Sequence, residues 1–305
     1  MALSELLKKD EINFTFSKIF TNVQSTNIGR ALRSYPISQK QPIVGLASKY
    51  MIQFLLHNLY PKKIIQSNYF YLKERYQIQR ALSGSEDYIQ MIEDTRRACL
   101  KTNLLAKTPD VDKTLESVAR ATFILAVLER AYYNQTKGSN WLVSPDRDDI
   151  LDLLNITHNI NFGKFKKYNA IYINPDFASV SLLVKRDPKT EIDFILDDTL
   201  LSIKNTTSPT FTKEQIYYLW AYYTILFVIR NNLLCNYPLD IEIIDANSIP
   251  EINNIGIFYS RFDYLLVIPV DILILNIQNS SLFSSFEEYI DWFIIQLIAN
   301  ENVLY

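Results

Sequence analysis

Glycine is scarce in this sequence, with 6 residues in a chain of 305. The phosphate-binding loops of nucleotide-dependent enzymes need closely spaced glycines, because only a residue without a side chain lets the backbone approach a phosphate closely. Neither a GxGxxG nor a GxxxxGK[ST] pattern occurs anywhere in the chain. Enzymes that depend on such loops are therefore poor candidates.

Cysteine and histidine are rarer still, with 2 residues of each. Cys99 and Cys235 form no pairing motif, which fits a reducing cytosol better than an oxidising compartment. His57 and His158 are too few to supply the ligands of a zinc site. The sequence therefore argues against a zinc enzyme.

A surplus of positive charge is also missing, since the formal net charge at pH 7 is -2. Proteins that bind nucleic acid normally carry a basic surplus, so any such contact has to come from a local patch. Residues 62–101 are one candidate, with eight Lys or Arg against five Asp or Glu and several interleaved tyrosines. Cations and aromatic rings together can contact phosphates and bases, although a solvated pair of helices explains the same residues more simply.

Long apolar runs are absent as well. The N-terminal residues lack the apolar core of a signal peptide. The most apolar stretch, residues 264–275, is interrupted by Asp271 and is too short to span a bilayer. We therefore expect a soluble, cytoplasmic protein that makes no contact with a membrane.

Helical and extended patterns alternate along the chain. Apolar residues recur at helical spacing in five segments, at residues 44–60, 112–134, 148–154, 212–231 and 285–299. Strand patterns occur at residues 169–173, 178–184, 256–261 and 264–268. This order predicts an α/β (α+β) fold with a central mixed β-sheet flanked by helices. A mostly helical N-terminal region, residues 1–110, precedes a second region, residues 111–305.

Residues 191–204 predict a β-hairpin around the polar pair Asp197-Asp198, which separates two runs of apolar, β-prone residues. With this pair as the turn, Asp193 stands directly opposite Ser202. Side chains alternate along a strand and therefore divide between two faces. The polar face carries Glu191, Asp193, Ser202 and Lys204, and the apolar face carries Ile192, Phe194, Leu201 and Ile203.

The polar face of this hairpin is unusual, because burying charged groups costs several kcal/mol unless they are paired or used. Glu129 is a second residue of this kind, a carboxylate on the apolar stripe of the helix predicted at residues 112–134. It can pair with Arg120 or Arg130, reach solvent at the helix end, or point into a site. The sequence leaves these three alternatives open.

Several short motifs follow one another along the second region. They are Leu128-Glu129-Arg-Ala-Tyr132, Asn174-Pro-Asp-Phe177, Glu191-Ile-Asp193, Asp198-Thr-Leu-Leu-Ser-Ile-Lys-Asn-Thr-Thr207, Ala221-Tyr-Tyr223 and Gly256-Ile-Phe-Tyr-Ser-Arg261. In order and spacing they resemble the PD-(D/E)XK nuclease superfamily, and more narrowly a group of bacterial and cyanobacterial proteins of that type. That group has a buried helix with Glu, a strand, a hairpin ending in Asp-Ile-Lys-Thr-Thr, a helix and a further strand. Residues 111–305 would accordingly form a nuclease-like domain with a restriction-endonuclease-like core.

The resemblance implies hydrolysis of DNA phosphodiester bonds with Mg²⁺ or Mn²⁺, in restriction, repair or defence against mobile DNA. It assigns metal carboxylates to Asp193 and to position 202, the lysine to Lys204, and an additional metal-binding or supporting carboxylate to Glu129. Such a metal ion polarises the phosphate and lowers the pKa of a bound water, while the lysine orients that water and offsets developing charge.

The sequence departs from this pattern at three positions. Ser202 replaces the second carboxylate, Tyr218 replaces an expected Gln, and Ala221 replaces the Gly before two tyrosines. A hydroxyl is a far weaker Mg²⁺ ligand than a carboxylate, so Glu129 or Glu191 would have to take its place as a metal ligand. The alternative is a catalytically inactive nuclease-fold protein that binds nucleic acid or a protein partner, as a subunit or a homodimer. A purely structural role for the charged residues is a third interpretation.

Overall fold

A computed structural model of the chain describes residues 2–21, 26–27, 29–67, 111–133, 143–184, 192–208, 210–237, 243 and 245–300. The α-helices in these ranges are α1 (Leu3–Leu6), α2 (Asp10–Ile19), α3 (Gln41–Leu59), α4 (Val111–Tyr133), α5 (Arg147–His158), α6 (Ala178–Leu183), α7 (Lys213–Arg230), α8 (Val270–Asn279) and α9 (Phe286–Asn300). The strands are β1 (Thr26–Asn27), β2 (Ile64–Ser67), β3 (Ile171–Ile173), β4 (Phe194–Leu196), β5 (Thr199–Lys204), β6 (Thr210–Phe211), β7 (Asn254–Tyr259) and β8 (Tyr264–Pro269).

Six strands form one open mixed sheet in the order β2-β3-β4-β5-β7-β8, and β1 pairs with β6 separately. The strands β3, β4 and β5 are successive antiparallel neighbours. β7 runs parallel to β5 and antiparallel to β8. Parallel neighbours need a crossover connection, and α7 lies within the one that joins β5 to β7. The predicted mixed sheet with flanking helices is confirmed in this form.

The β4–β5 hairpin has the predicted register. Phe194 pairs with Leu201 in the antiparallel ladder, and the same register places Asp193 opposite Ser202. One residue differs from the prediction: Ile192 packs in the core on the opposite side from Phe194. The reason is that β4 begins only at Phe194, so strict alternation does not extend back to Ile192.

The turn of this hairpin forms at Asp197 and Asp198 without a glycine. Asp197 has a positive φ of 52°, a conformation that Asp adopts more readily than most residues. Its side-chain Oδ1 accepts hydrogen bonds from the N–H groups of Asn169 and Ala170 at 2.8 and 2.7 Å. The turn is therefore held by the chain that leads into β3.

Helices cover both faces of the sheet. On one face α1, α2, α6, α7, α8 and α9 enclose a core that includes Ile195, Leu200 and Ile255. On the other face α3, α4 and α5 enclose a core that includes Phe194 and Leu201. Because side chains alternate along a strand, β4 and β5 contribute to both cores and are buried on both sides.

Gly256 in the middle of β7 lies against its neighbouring strands. A Cβ at this position would collide with the carbonyl oxygen of Leu266 on β8 and come within 2.7 Å of Leu201 Cδ2 on β5. Overpacking of this kind destabilises a core, since neither the backbone nor the buried leucine can move freely. The close approach of β8 explains the glycine at the start of this strand motif.

The segment after β3 differs from the sequence prediction. Residues 178–184 were expected to form a strand, but Ala178–Leu183 is the helix α6. Val180, Leu183 and Val184 are all buried on the α7 side of the sheet. Apolar residues at positions i, i+3 and i+4 suit a helix as well as a short strand, and packing against α7 selects the helix.

The described N-terminal residues are part of the same two cores. α1 and α2 pack on the α7 side, and α3 packs against α4 and α5 on the other side. β2 adds a parallel edge strand beside β3. The predicted boundary at residue 110 and most of the basic and aromatic segment 62–101 lie outside the described residues. Of the helices that the structure describes, none combines the length and the apolar character that crossing a membrane requires.

Candidate functional site

Asp193 and Ser202 lie side by side at the end of the hairpin that is remote from its turn. Asp193 is 3% exposed and Ser202 is 7% exposed, so both are buried. Asp193 Oδ2 accepts hydrogen bonds from the Ile203 N–H at 2.6 Å and from the Ser202 hydroxyl at 3.3 Å. These donors compensate the carboxylate for water that it loses on burial. The hairpin therefore holds Asp193 in one orientation.

A third contact to the same oxygen comes from helix α3. The Lys49 ammonium lies 3.1 Å from Asp193 Oδ2 and forms a salt bridge with a lysine side chain that is 19% exposed. Lys49 is not among the residues predicted from the sequence. The sequence does contain a signal for it, because Lys49 is the one charged residue in the apolar helical segment 43–56. Glu129 is recognisable in the same way, as a charged residue on an apolar helix.

Lys204 ends β5 beside this group and is partly buried. Burial and, to a smaller extent, the positive charge of Lys49 lower the pKa of its ammonium, the charge of Asp193 opposes both effects, and the resulting pKa is about 8. Below that pKa the site holds two ammonium groups near one carboxylate. Its balance of charge is then positive.

Glu129 lies on α4 and is 2% exposed. Its Oε2 accepts a hydrogen bond from the Tyr50 hydroxyl. Tyr50 follows Lys49 in α3, so Glu129 and Asp193 contact consecutive residues of one helix. The structure therefore excludes the alternative in which Glu129 reaches solvent at the helix end, and it gives Glu129 a hydrogen-bond partner that was not predicted, a tyrosine of α3.

The strand β7 and helix α7 close the far side of the site. Tyr259 pairs with Lys204 in the parallel ladder, and its hydroxyl donates to Gln215 Oε1 at 3.0 Å. The same oxygen accepts from the Thr212 N–H at 3.1 Å, which is one half of the predicted capping box. Gln215 lies one turn before Tyr218, where the resemblance places a glutamine.

Asn205 follows Lys204 and contacts α3. Its Oδ1 accepts a hydrogen bond from the Ser260 hydroxyl at 3.1 Å. Its buried Nδ2 has no hydrogen-bond partner among the described residues. A Cβ on Gly45 of α3 would lie 3.7 Å from this nitrogen. The amide therefore lies in the contact between the end of β5 and the helix that carries Lys49.

These residues do not fit the magnesium ion that the resemblance implies. Mg²⁺ is held in proteins by hard oxygen ligands, usually carboxylates, in a near-octahedral arrangement. Asp193 supplies one carboxylate, and its Oδ2 is already engaged by an ammonium, an N–H and a hydroxyl. Within the described ranges, no group of three or more His, Cys, Asp or Glu could hold a metal ion. Glu191, the other predicted substitute ligand, lies outside these ranges.

The residue that ends the last strand motif belongs to a separate ion pair. Arg261 donates to both oxygens of Asp152, from Nη1 to Oδ1 at 2.9 Å and from Nη2 to Oδ2 at 3.0 Å. Both side chains are 0% exposed. Asp152 Oδ2 also accepts from the N–H groups of Ile37 and Ser38 at 3.2 Å. This network fixes the chain before α3 against α5 and the end of β7.

Two basic clusters lie at the end of the sheet where β5 and β7 finish. The first is Lys49 and Lys204 around Asp193. In the second, Asp263 of the β7–β8 turn contacts the Lys164 ammonium and the Arg33 guanidinium, the latter at 3.1 Å. Counting only the residues that the structure describes, each cluster has two cations and one carboxylate.

The charge balance is reversed in a third cluster, where one cation meets two carboxylates. Lys40, which precedes α3, contacts both Asp146 and Asp149. The hydrogen bond from Lys40, together with the backbone N–H of Asp149, holds the pKa of Asp146 below its usual range. Burial lowers the pKa of the Lys40 ammonium, but the hydrogen bonds and charges of the two carboxylates outweigh burial and raise it. Of these three clusters, as far as the structure describes their residues, the two at the β5–β7 end have more cations than carboxylates.

A cleft of about 550 Å³ opens elsewhere, between the end of α7, residues 246–253 and the start of α8. Tyr223, Arg230, Glu251 and Asp271 are among its lining residues. Burial and the two nearby carboxylates raise the pKa of Tyr223 to about 12. No residue of the Asp193 site lines this cleft, because it lies at the end of α7 remote from Gln215.

In comparisons with protein-family models, curated proteins and solved structures, the chain has no significant match. The family resemblance therefore depends on the motifs in the sequence.

Proposed function

We propose that this chain is a catalytically inactive protein of nuclease-like fold that binds the phosphate backbone of DNA at Lys49, Asp193 and Lys204. The proposal is carried by the salt bridge of 3.1 Å between Lys49 and Asp193, beside the second ammonium of Lys204. Among the described residues two ammoniums meet one carboxylate, and this local excess of positive charge suits an anion. These residues offer a divalent cation no pair of carboxylates.

The order of elements supports a restriction-endonuclease-like core. Helix α4 with Glu129, strand β3, the hairpin β4–β5, helix α7 and strand β7 follow one another in the order of the motifs that suggest the family. Asp193, Ser202 and Lys204 lie on the same hairpin end, which corresponds to the site of that family. This agreement supports nucleic acid as the ligand class, because the fold is associated with the phosphodiester backbone in that group.

The distribution of charge favours a contact with a phosphate backbone. The clusters of Lys49 with Lys204 and of Arg33 with Lys164 lie at one end of the sheet, and each has one more cation than carboxylates. Consecutive phosphates of DNA present regularly spaced negative charge to such clusters. Because the net charge of the whole chain is -2, we expect binding to be restricted to this end and to weaken steeply with salt.

A second candidate function is Mg²⁺-dependent hydrolysis of DNA. It is favoured by Glu129, a buried carboxylate whose partner Tyr50 is adjacent to Lys49. In that case Glu129 and Glu191 would supply the metal ligands that Ser202 does not. The two functions differ in a single observable, which is whether DNA is cleaved.

The test combines binding with cleavage. Purified protein is incubated with supercoiled and with single-stranded DNA in Mg²⁺ or Mn²⁺, beside Asp193→Ala and Lys204→Ala, and binding is measured on the same DNA in EDTA. Binding in EDTA that Lys204→Ala weakens, without cleavage by the parent, supports the proposal. Cleavage by the parent that both variants abolish would establish the hydrolase instead. Failure to bind any DNA contradicts both functions.

A further inference from the structure

The cation at the Asp193 site is supplied by the protein itself. Asp193 Oδ2 meets the Lys49 ammonium at 3.1 Å, and the remaining donors to this oxygen are an N–H and a hydroxyl. An ammonium and a metal ion both balance a carboxylate, and they repel each other when they are close. A lysine in this position therefore competes directly with a divalent cation for Asp193.

We infer that Lys49 takes the place of the metal ion at this site and makes the site independent of divalent cations. This inference deepens the proposed function, on which it depends for the choice of site. It assigns to helix α3, which lies outside the family motifs, the residue that decides which cation Asp193 pairs with.

The position of α3 makes Lys49 a fixed part of the site. The helix packs against α4 and α5, and its residues on both sides of Lys49, Ser48 and Tyr50, are buried. Tyr50 donates a hydrogen bond to Glu129 on α4, which restricts rotation of α3 about its axis. The Lys49 ammonium is consequently held near Asp193 rather than extended into solvent, with 19% of its side chain exposed.

Ser202 is the second residue that keeps a metal ion from this site, because it places a hydroxyl where a metal site would need a carboxylate. Its hydroxyl lies 3.3 Å from Asp193 Oδ2, next to the last pair of the ladder, Phe194 with Leu201. A carboxylate at position 202 would form the pair of oxygen ligands that Mg²⁺ or Mn²⁺ requires. With Lys49 present, that pair would be bridged by the ammonium. Restoring a metal site therefore requires two changes, Ser202→Asp and removal of the Lys49 charge.

The experiment measures Mn²⁺ binding by isothermal titration calorimetry on the full chain at pH 7. The variants are Ser202→Asp, Lys49→Met and the double variant, each checked for folding by circular dichroism. Ser208→Asp with Lys49→Met is the matched control, since it adds the same carboxylate at an exposed position beyond the end of β5. We expect no stoichiometric Mn²⁺ binding by the parent, and at least tenfold tighter binding by the double variant than by Ser202→Asp alone.

The inference is overturned if Ser202→Asp alone binds Mn²⁺ as tightly as the double variant, or if a folded double variant binds no tighter than the control. If the double variant does not fold, Mn²⁺ binding by the parent protein tests the inference. Stoichiometric Mn²⁺ binding by the parent that Asp193→Asn abolishes contradicts the inference, and absence of binding supports it. Because DNA is not present in this measurement, its outcome is separate from the failure or success of DNA binding.

Discussion

Asp152 and Asp193 are both buried carboxylates that meet cations, and they do so differently. Asp152 and Arg261 are both 0% exposed and make two parallel hydrogen bonds, so that one charge is matched by one charge. Asp193 is 3% exposed, but it is shared between Lys49 and Lys204, and its hydrogen bonds in the described part of the chain go to a single oxygen. The first pair is balanced, whereas the second group, as far as its residues are described, has one cation more than carboxylates.

The difference separates a structural ion pair from a binding site. A bidentate guanidinium and carboxylate satisfy each other and leave nothing for a ligand. Two ammoniums around one carboxylate repel each other, and this repulsion adds to the larger effect of burial in lowering the pKa of Lys204 to about 8. An anionic ligand relieves that repulsion. The comparison therefore predicts that changes at Arg261 act on stability, whereas changes at Lys49 and Lys204 act on binding.

The largest expected effect is on the free energy of unfolding. Arg261→Met leaves Asp152 buried and charged without its partner, and we expect a loss of about 3–5 kcal/mol in urea denaturation. Arg230→Met is the matched control, because the Arg230 pair with Glu251 at 3.5 Å is exposed; its expected loss is below about 1 kcal/mol. If the free energy of unfolding falls by the same amount in both variants, the buried Arg261–Asp152 pair contributes no more to stability than the exposed Arg230–Glu251 pair, and the prediction is wrong.

The next effect is on affinity for DNA. Lys49→Met and Lys204→Gln each remove one cation from the site, and we expect each to weaken binding by about tenfold at moderate salt. The slope of the logarithm of the binding constant against the logarithm of the salt concentration should become smaller by about one. The measurement is fluorescence anisotropy with a labelled duplex at several salt concentrations. Lys8→Gln, at an exposed lysine, is the control and should bind like the parent. If all three variants bind alike, the site is not where DNA binds.

The smallest effect is a dependence of stability on pH. The pKa of Lys204 is about 8 in the folded protein and 10.5 in the unfolded chain, so the unfolded chain binds more protons between these values. The free energy of unfolding should therefore rise with pH above neutrality. The contribution of Lys204 between pH 7 and pH 9 is about 1 kcal/mol.

This contribution is measured by urea denaturation at both pH values, with Lys204→Met beside the parent. The variant should lack the rise because it has no group that titrates at this position. A rise of the same size in Lys204→Met would mean that another group is responsible.

Sequence reasoning found the elements that local patterns determine. The hairpin was predictable because the polar pair at residues 197–198 sets the register, and alternation then places Asp193 opposite Ser202. The helices α3, α4, α7 and α9 were predictable from apolar periodicity over many residues. The short helix α6 was not, because a few apolar residues fit both periods and packing decides between them.

The parts of the site that depend on long-range packing were out of reach. Lys49 is separated from Asp193 by 144 residues, and Arg261 from Asp152 by 109. No local pattern reports such a pairing, since it results from the way α3 and α5 pack around the sheet. Glu129 and the Lys204 end of β5 were visible as charges in apolar surroundings. Lys49 carries the same signal, and it changes the chemistry expected of the site from metal binding to anion binding.

The most direct test of the central claim is the affinity of the parent protein for DNA with and without a divalent cation. Binding of a labelled duplex is measured by fluorescence anisotropy in EDTA and in Mg²⁺ at matched ionic strength, and the DNA is then examined for cleavage. We predict the same dissociation constant in both conditions and intact DNA. Binding that requires Mg²⁺, or DNA that is cut in its presence, would contradict the claim that Lys49 replaces the metal ion.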